Sequence, residues 1–322
     1  MLIKSVGIIL VMFNQKHNLE LLYSSIAGTA YPELKIYFVD NNPDEGDSDF
    51  SKKLNTSLKL NITYIKPGFN SGFAGGNNSG AEQAMKDGCE YIFFLNNDVV
   101  LDKDCISKLV EAIEKDLHKD ISKEISIGAA APLILYGKEL NKDTIIQELG
   151  AKADFKSYKI EKYFEGKKYS ELKNSLPEVM NADVISGGSC LFKSDALEKT
   201  GLWEESYFAY GDEIDLAKRV KDSGYKTVAV SSAVLYHNHQ WVKDNKKGYY
   251  FEYYLSERNK FLYYYKYKLY SSIIFSAIAD IIKFPVRLIW FMKVCDFTLG
   301  IYYLRGMFAG LLKKKGNPGF SR

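Results

Sequence analysis

The chain has 322 residues, of which 46% are hydrophobic, enough for one large domain or for a domain with an appendage. The formal net charge is only +3, so bulk charge gives no reason to expect nucleic acid as a partner. The 24 tyrosines and 19 phenylalanines are a conspicuous excess of aromatic residues, and many of them follow residue 248.

The cysteines and the first residues bear on the compartment. No two of the four cysteines have the spacing of a metal site or of a redox pair. The first ten residues lead directly into a strand pattern, without a basic segment and a cleavage site. Together these features predict a protein of the reducing cytoplasm.

The first half of the chain alternates between strand and helix patterns. Short continuous apolar runs predict strands at 6–13, 34–39, 62–65 and 91–95. Apolar residues at helical spacing predict helices at 18–27 and 50–58 and a further one ending near residue 85. This alternation is typical of an α/β fold with a mostly parallel central sheet.

The second half is less regular. It predicts a helix at 107–117, a buried strand at 127–135, a helix at 212–223 and a last strand at 226–230. Residues 137–178 are rich in lysine and weakly patterned, which favours an exposed, variable insertion. A strand predicted at 184–192 is interrupted by Gly187 and Gly188, and glycines inside a strand often mark the close approach of a ligand or of another backbone.

Polar clusters follow four of the predicted strands. They are Asn14, Asp40 to Asn42, Asn70 to Asn78, and Asn96 to Asp98. Because the carboxyl ends of parallel strands meet at one edge of the sheet, we expect a single ligand site there. Asp98 is placed to hold a divalent metal ion, although a polar turn that caps the next helix is an equal alternative.

The glycine-rich segment at 70–80 predicts a loop whose N–H groups approach the phosphates of a nucleotide, with a flexible turn as the alternative. Asp40 precedes this segment and is a candidate for binding the base or the ribose. A dinucleotide fold has its glycines before the acidic residue, so this order argues against a dehydrogenase.

Three acids occur in four residues at Asp212, Glu213 and Asp215, where a helix is predicted to begin. Helix capping and an ion pair with Arg219 at i+4 account for Asp215. The other two exceed what capping requires, and a carboxylate near a metal site can serve as a general base. His237 and His239 follow the last strand; a lone histidine is usually structural, but beside a metal site it is a candidate ligand.

In order and spacing these motifs resemble the inverting glycosyltransferases of family 2, which have the GT-A fold, and among them the bacterial rhamnosyltransferase-like members. The resemblance covers residues 6–239. It is carried by Phe13-Asn14, Asp40-Asn41-Asn42, the segment 70–78, Asn96-Asn97-Asp98, Gly187-Gly188, Tyr210 to Leu216, Arg219, and Gly224-Tyr225.

The resemblance implies roles for individual residues. Glu213, or else Asp212, deprotonates the acceptor hydroxyl, while Asp98 and His237 hold Mg²⁺ or Mn²⁺. The acceptor lies against Gly187, Gly188, Trp203 and Tyr210. The nucleotide-sugar, linked to UDP or dTDP, is bound by the remaining set, which comprises Phe13, Asn14, Asp40, Asn42, Asn70, Gly72, Phe73, Gly76, Asn77, Asn96 and Asn97.

The chain departs from the family pattern at two points. Asn96 replaces the first acid of the metal-binding DxD motif, and the usual Glu-Asp order is reversed at 212–213. The expected activity is metal-dependent, inverting transfer of a sugar to a glycan or polyprenyl-linked precursor of a cell-surface polysaccharide. The alternatives are a sugar nucleotidyltransferase and a non-catalytic, membrane-associated nucleotide-sugar-binding protein.

Residues 246–322 are predicted to form a region of their own, separate from a catalytic domain at 1–245. Aromatic and basic residues are interleaved there on amphipathic helices, which favours peripheral contact with the inner face of the cell membrane. Packing on the catalytic domain or in a homo-oligomer is the alternative. No uncharged run of 18 residues occurs, so no membrane-spanning helix is predicted.

Overall fold

The computed structural model describes residues 3–13, 19–42, 60–117, 125–137, 139, 141, 144–237, 246–293 and 296–319. Asn14, the helix predicted at 50–58 and His239 lie outside these ranges.

A ten-stranded mixed sheet forms the centre of the molecule, and its main path runs β10-β12-β6-β11-β4-β1-β2-β3. Strands β4, β1, β2 and β3 are mutually parallel, β6 is parallel to β12, and β11 runs antiparallel between the two groups. Strands β5 and β7 pair with β12 and β6. The strands of this sheet are β1 Val6–Met12, β2 Leu34–Asp40, β3 Ile62–Ile65, β4 Tyr91–Leu95, β5 Val99–Leu101, β6 Ile127–Tyr136, β7 Ile146–Glu148, β10 Val179–Ala182, β11 Ser189–Lys193 and β12 Lys226–His237.

Helices cover both faces of this sheet, so its central strands are apolar throughout. In β1, for example, Ile8 and Leu10 pack under the first and third helices, whereas Ile9 packs under the second. The helices up to β12 are α1 Leu19–Ala27, α2 Gly72–Lys86, α3 Cys105–Leu117, α4 Tyr169–Leu172, α5 Ser194–Thr200 and α6 Asp212–Asp222. The predicted α/β fold with a mostly parallel central sheet is therefore confirmed.

The segment predicted as an exposed insertion is exposed or half-buried from residue 152 onward, but its first part packs against the sheet. It contributes β7 to the sheet, a hairpin of β8 Ala151–Asp154 and β9 Lys159–Lys162, and helix α4. Ile146 and Leu149 are fully buried against Leu133 and Leu135 of β6. The lysine-rich composition therefore predicted the exposure of most of this segment but not its few apolar anchors.

Two strands also differ from prediction. The strand predicted at 184–192 begins only at Ser189, so Gly187 and Gly188 form the turn before β11. The last strand continues to His237, and its register shifts against β6 between Val230 and Val234.

The glycine-rich segment is the first two turns of α2, where a loop was predicted. A Cβ on Gly76 would lie 2.6 Å from Val11 Cγ1, and one on Gly80 would lie 2.5 Å from Ile9 Cγ2. These distances are shorter than any real carbon contact, so α2 requires glycine to lie this close to β1. Gly76 therefore faces the sheet. The side chain of Asn77 folds back onto its own helix, where Nδ2 donates to the Phe73 carbonyl at 2.9 Å.

Three helices follow β12, namely α7 Lys246–Lys266, α8 Tyr270–Lys293 and α9 Phe297–Leu311. Gly306 and Gly310 of α9 let it pack directly on the backbone of α7 at Tyr254 and Arg258. Phe261, Tyr263 and Tyr264 of α7 share a buried cluster with Tyr207 and Ile214 from the sheet-containing part. Within the described residues, no helix has both the length and the apolarity that crossing a membrane requires.

Candidate active site

The carboxyl ends of β1, β2 and β3 meet at one edge of the sheet, as the strand pattern predicts. Asp40, at the end of β2, is fully buried. Its Oδ1 accepts hydrogen bonds from the Asn42 backbone N–H at 3.0 Å and side-chain amide at 2.9 Å, and its Oδ2 accepts one from the Tyr64 hydroxyl. Phe13 is half-buried and directly follows Met12, the residue of β1 that pairs with Asp40.

Asn41, which the sequence analysis did not select, fixes the segment that enters α2. Its Nδ2 donates to the Gly72 carbonyl at 2.7 Å, and its Oδ1 accepts from Ser71 Oγ at 2.8 Å. Asn70 Oδ1 accepts from the Gly72 N–H at 3.0 Å. Gly72 has a φ of +75° and lies against the Phe208 carbonyl, so only glycine suits this position. A polar residue at a strand end was the available signal for Asn41.

Asp98 and His237 meet at the other end of this edge. Asp98 Oδ1 lies 3.1 Å from His237 Nε2, and His237 Nδ1 lies 2.8 Å from Gln147 Oε1. Gln147 belongs to β7, inside the segment predicted to be variable, and no sequence signal pointed to it. With Oε1 facing the ring, Nδ1 carries the proton, and Nε2 and Asp98 Oδ1 face each other on the opposite side of the ring.

Asn96 and Asn97 align the turn that carries Asp98. The Asn96 N–H donates to the Gly188 carbonyl at 2.7 Å, and a Cβ on Gly188 would lie 2.4 Å from Asn96 Nδ2. Asn97 Nδ2 lies 3.4 Å from the Val11 carbonyl and 3.0 Å from Met12 Sδ, at the end of β1. Glycine at 188 therefore lets the two turns touch.

Gly187 continues this turn toward the acids of α6. A Cβ there would lie 3.3 Å from the Trp203 ring and 3.6 Å from Glu213 Cβ. Trp203 is only 4% exposed and packs edge-on against Phe73 and Phe94, so it supports the turn from the side of the core. Trp203 thus belongs to the core and Phe73 packs half-buried against it, and their predicted contacts with the acceptor and the donor stay predictions.

The adjacent acids at the start of α6 have different surroundings. Asp212 is 3% exposed, and its Oδ2 has no hydrogen-bond partner among the described residues. Burial, and then the charge of Glu213, raise the pKa of Asp212 well above its ordinary value. Glu213 is half-exposed and faces the Gly187 turn. An accessible carboxylate therefore lies beside a buried one.

Asp215 is a structural residue, as its position one turn into the helix predicts. It is fully buried, and it pairs with Arg219 Nε at 2.9 Å and with Lys266 Nζ at 2.8 Å. The Tyr267 hydroxyl donates to it at 2.9 Å. Lys266 is the last residue of α7 and Tyr267 follows it, so this carboxylate joins α6 to the C-terminal helices.

Two further residues of the segment 137–178 lie near the acids. The Tyr158 hydroxyl, at the tip of the β8–β9 hairpin, donates to the Gly211 carbonyl at 3.0 Å. Glu148 is buried beside Lys162, with 3.3 Å between Oε2 and Nζ. Burial raises the pKa of Glu148, Lys162 opposes that effect, and the charge of Glu213 adds to it. The segment thus forms one wall around Glu213.

Comparison with known proteins agrees with this geometry. Residues 7–123, from β1 through α3, match the family model described as Glycosyl transferase family 2. The chain is 25% identical, over 98% of its length and 94% of the relative's, to Agl10, a low-salt glycan biosynthesis hexosyltransferase of Haloferax volcanii.

Two solved structures have a similar fold. TarS 1–349 of S. aureus has a TM-score of 0.51 and 13% identity, over 80% of this chain and 65% of that one. GalNAc-T7, crystallised with UDP, GalNAc and Mn²⁺, has a TM-score of 0.57 and 15% identity, over 74% of this chain and 44% of that one. The chain thus spans less than two thirds of either structure, and the likeness concerns the fold alone.

The sheet, with a carboxylate–imidazole pair and two adjacent acids joined by a glycine turn at its edge, resembles the fold of glycosyltransferases of the GT-A type. Such an enzyme takes its sugar from a nucleotide-sugar. The matched segment and the relative together support a family 2 glycosyltransferase, as the order of the motifs predicts.

Proposed function

We propose that this enzyme transfers a sugar, with inversion, from a UDP- or dTDP-linked donor to a hydroxyl of a glycan or polyprenyl-linked glycan precursor. The observation that carries the proposal is the continuous contact from His237 and Asp98, through the turn at Gly187 and Gly188, to Glu213. Donor and acceptor sites would then meet at this turn. The relative's role in glycan biosynthesis supports the class of acceptor.

We propose that Asp98 and His237 hold Mg²⁺ or Mn²⁺. One carboxylate oxygen and one imidazole nitrogen, 3.1 Å apart, are donors that suit these ions, and Gln147 orients the ring so that Nε2 faces the carboxylate. Only two side chains of the described residues converge here, which suits ions that retain several water or phosphate ligands. Bound there, the metal would stabilise negative charge on the leaving diphosphate.

We propose Glu213 as the general base, because it is half-exposed at the turn whereas Asp212 is buried with a raised pKa. The Glu213 carboxylate takes the proton of the acceptor hydroxyl as that oxygen bonds to the anomeric carbon. The bond from this carbon to the diphosphate oxygen breaks on the opposite face, and its electron pair leaves with the nucleoside diphosphate. Attack from that side inverts the anomeric configuration.

The test is nucleoside diphosphate release from a panel of UDP- and dTDP-sugars, with and without EDTA. Glu213→Gln is expected to lower turnover by about 10²–10⁴-fold without weakening UDP binding. Asp98→Ala is expected to abolish the nucleoside diphosphate release that depends on the metal. If Glu213→Gln is active and Asp212→Asn is inactive, Asp212 is the base instead. If turnover is unchanged in EDTA, the proposed metal dependence is wrong. Pyrophosphate release from a nucleoside triphosphate would identify a sugar nucleotidyltransferase instead.

We propose further that α8 lies on the cytoplasmic face of the membrane, in the plane of the headgroups. Seven large apolar side chains, each 50–73% exposed, cover one side of this helix. At helical spacing these side chains share one face of the helix, and Asp280, Lys283 and Arg287 lie outside that face. Such a face, on a chain with basic residues nearby, suits an anionic lipid interface. The seven are Ile274, Phe275, Ile278, Ile281, Ile282, Val286 and Ile289.

Substitutions on α8 test this better than a truncation near residue 245, which would also remove the buried α7. The triple variant Phe275→Ser, Ile282→Ser, Val286→Ser is expected to lose co-sedimentation with phosphatidylglycerol vesicles and to keep UDP binding. Leu21→Ser, an exposed apolar residue on α1, is the control. Unchanged vesicle binding contradicts the proposal, and a fall in molecular mass in solution identifies the face as an oligomer interface.

A further inference from the structure

The segment Tyr207 to Gly211, directly before the acids of α6, has a strained backbone. Phe208 has a φ of +67°, Tyr210 of +64° and Gly211 of +75°. Two of these three are aromatic residues, which rarely adopt the left-handed region because it strains a backbone that carries a side chain. The surrounding structure must therefore hold the segment in place.

All five carbonyls of this segment accept a hydrogen bond from outside it. The donors lie on three elements that are distant in sequence, namely α2, the β8–β9 hairpin and α7. Tyr207 accepts from Arg258 Nη2 (2.7 Å) and Asn259 Nδ2 (3.0 Å), Phe208 from the Ala74 N–H (3.2 Å), Ala209 and Tyr210 from Asn259 Nδ2 (2.8 and 2.7 Å), and Gly211 from the Tyr158 hydroxyl (3.0 Å).

Arg258 and Asn259 supply most of these bonds, and both are buried, with 1% and 0% exposure. Arg258 Nε donates to Asn259 Oδ1 at 2.9 Å, which turns the amide N–H groups of Asn259 toward the three carbonyls. Arg258 Nη1 donates to the Gly316 carbonyl at 2.6 Å, which ties the residues after α9 to the same point.

Burial of this arginine is costly, since desolvation lowers its pKa to about 10. A helix that only needed to pack on the core would bury apolar residues here, as α7 does with Leu255 and Phe261. Arg258 and Asn259 instead donate hydrogen bonds to the segment that precedes Asp212 and Glu213. The same segment contacts α2 through Phe208, so it links the predicted donor side to the predicted base.

We propose that Arg258 and Asn259 are positioning residues for sugar transfer, which hold the strained segment Tyr207 to Gly211 so that Glu213 faces the acceptor. The inference rests on the proposed role of Glu213. It assigns the C-terminal helices a part in catalysis, in addition to any contact that α8 makes with lipid.

The test is Asn259→Asp, which has the same shape and keeps the bond from Arg258 but loses both N–H donors. Turnover, followed as nucleoside diphosphate release, is expected to fall at least tenfold, while the Kd for UDP with Mn²⁺ changes less than threefold. Hydrogen–deuterium exchange is expected to rise at residues 209–212 and to stay unchanged in β1 and β4. Tyr265→Phe is the matched control, because it removes a bond between α7 and the Leu311 carbonyl on the same helix pair.

Turnover of Asn259→Asp within twofold of the wild type overturns the proposal. So does a parallel loss of turnover, UDP affinity and thermal stability, because that result describes a purely structural role. Should the variant not fold, Asn259→Ser, which keeps one donor, is measured in the same way and judged by the same criteria. The proposed function fails separately, when Glu213→Gln turns over at the wild-type rate.

Discussion

Gln147 offers the most direct test of the site geometry. Its Oε1 accepts from His237 Nδ1 at 2.8 Å, and the opposite ring nitrogen lies 3.1 Å from Asp98 Oδ1. In Gln147→Leu the acceptor is lost, so the imidazole can turn or place its proton on Nε2, where it blocks a metal. Loss of such a supporting bond lowers metal affinity by about 10–100-fold, or about 1.4–2.8 kcal/mol.

The assay is isothermal titration calorimetry, in which Mn²⁺ is added to the enzyme in the presence of saturating UDP. Gln147→Leu is expected to raise the Kd for Mn²⁺ by one to two orders of magnitude, as stated above. Gln147→Glu, which keeps an acceptor, is expected to bind Mn²⁺ at least as well as the wild type. Gln83→Leu is the matched control, because Gln83 bonds to Asp87 on the outer side of α2, away from the site. A Kd within twofold of the wild type in Gln147→Leu would refute the reasoning.

Three further predictions concern the free energy of unfolding and rest on Asp212, Lys266 and Gly76. Because burial and Glu213 raise the pKa of Asp212, the folded state holds its proton above pH 3.8, and unfolding free energy falls as pH rises through the folded pKa. Asp212→Asn is expected to flatten that slope in urea titrations between pH 4 and pH 8, and an unchanged slope would contradict it. Lys266→Met removes the partner of Asp215 and Glu204 and is expected to cost about 1–3 kcal/mol, less than a fully buried pair because Lys266 is 31% exposed. Gly76→Ala forces a methyl group against Val11 and is expected to cost about 1–3 kcal/mol in urea denaturation, whereas a cost below about 0.5 kcal/mol would mean that α2 shifts freely.

Glu204 illustrates how the C-terminal helices act on the rest of the chain. Burial alone would raise its pKa, but the hydrogen bond and charge of Lys266, together with Ser206, lower it to about 2. Its contribution to stability is therefore present above its ordinary pKa of 4.5 and is lost as the pH falls toward about 2. Lys266 is 62 residues away in the sequence, at the end of α7.

Local patterns determined most of the sheet. Short apolar runs located β1, β2, β3, β4 and β6 to within a residue or two, because a strand covered on both faces must be apolar at every position. The same rule predicted that the polar residues after these strands share an edge, and Asp40 and Asp98 do lie at strand ends on that edge. The roles of individual donor-site and acceptor-site residues stay predictions.

Tertiary structure alone decided the rest. Nothing in the local sequence distinguishes the glycines of a phosphate-binding loop from those that let a helix approach a strand, and only the structure shows that Gly76 lies against Val11 of β1. Gln147 occurs in a lysine-rich stretch with no periodicity, yet β7 carries it to His237, 90 residues away. Asn259 reaches the Tyr207 carbonyl over 52 residues. Periodicity reports only which face of an element is buried, whereas the partner of a buried polar group depends on how distant elements pack.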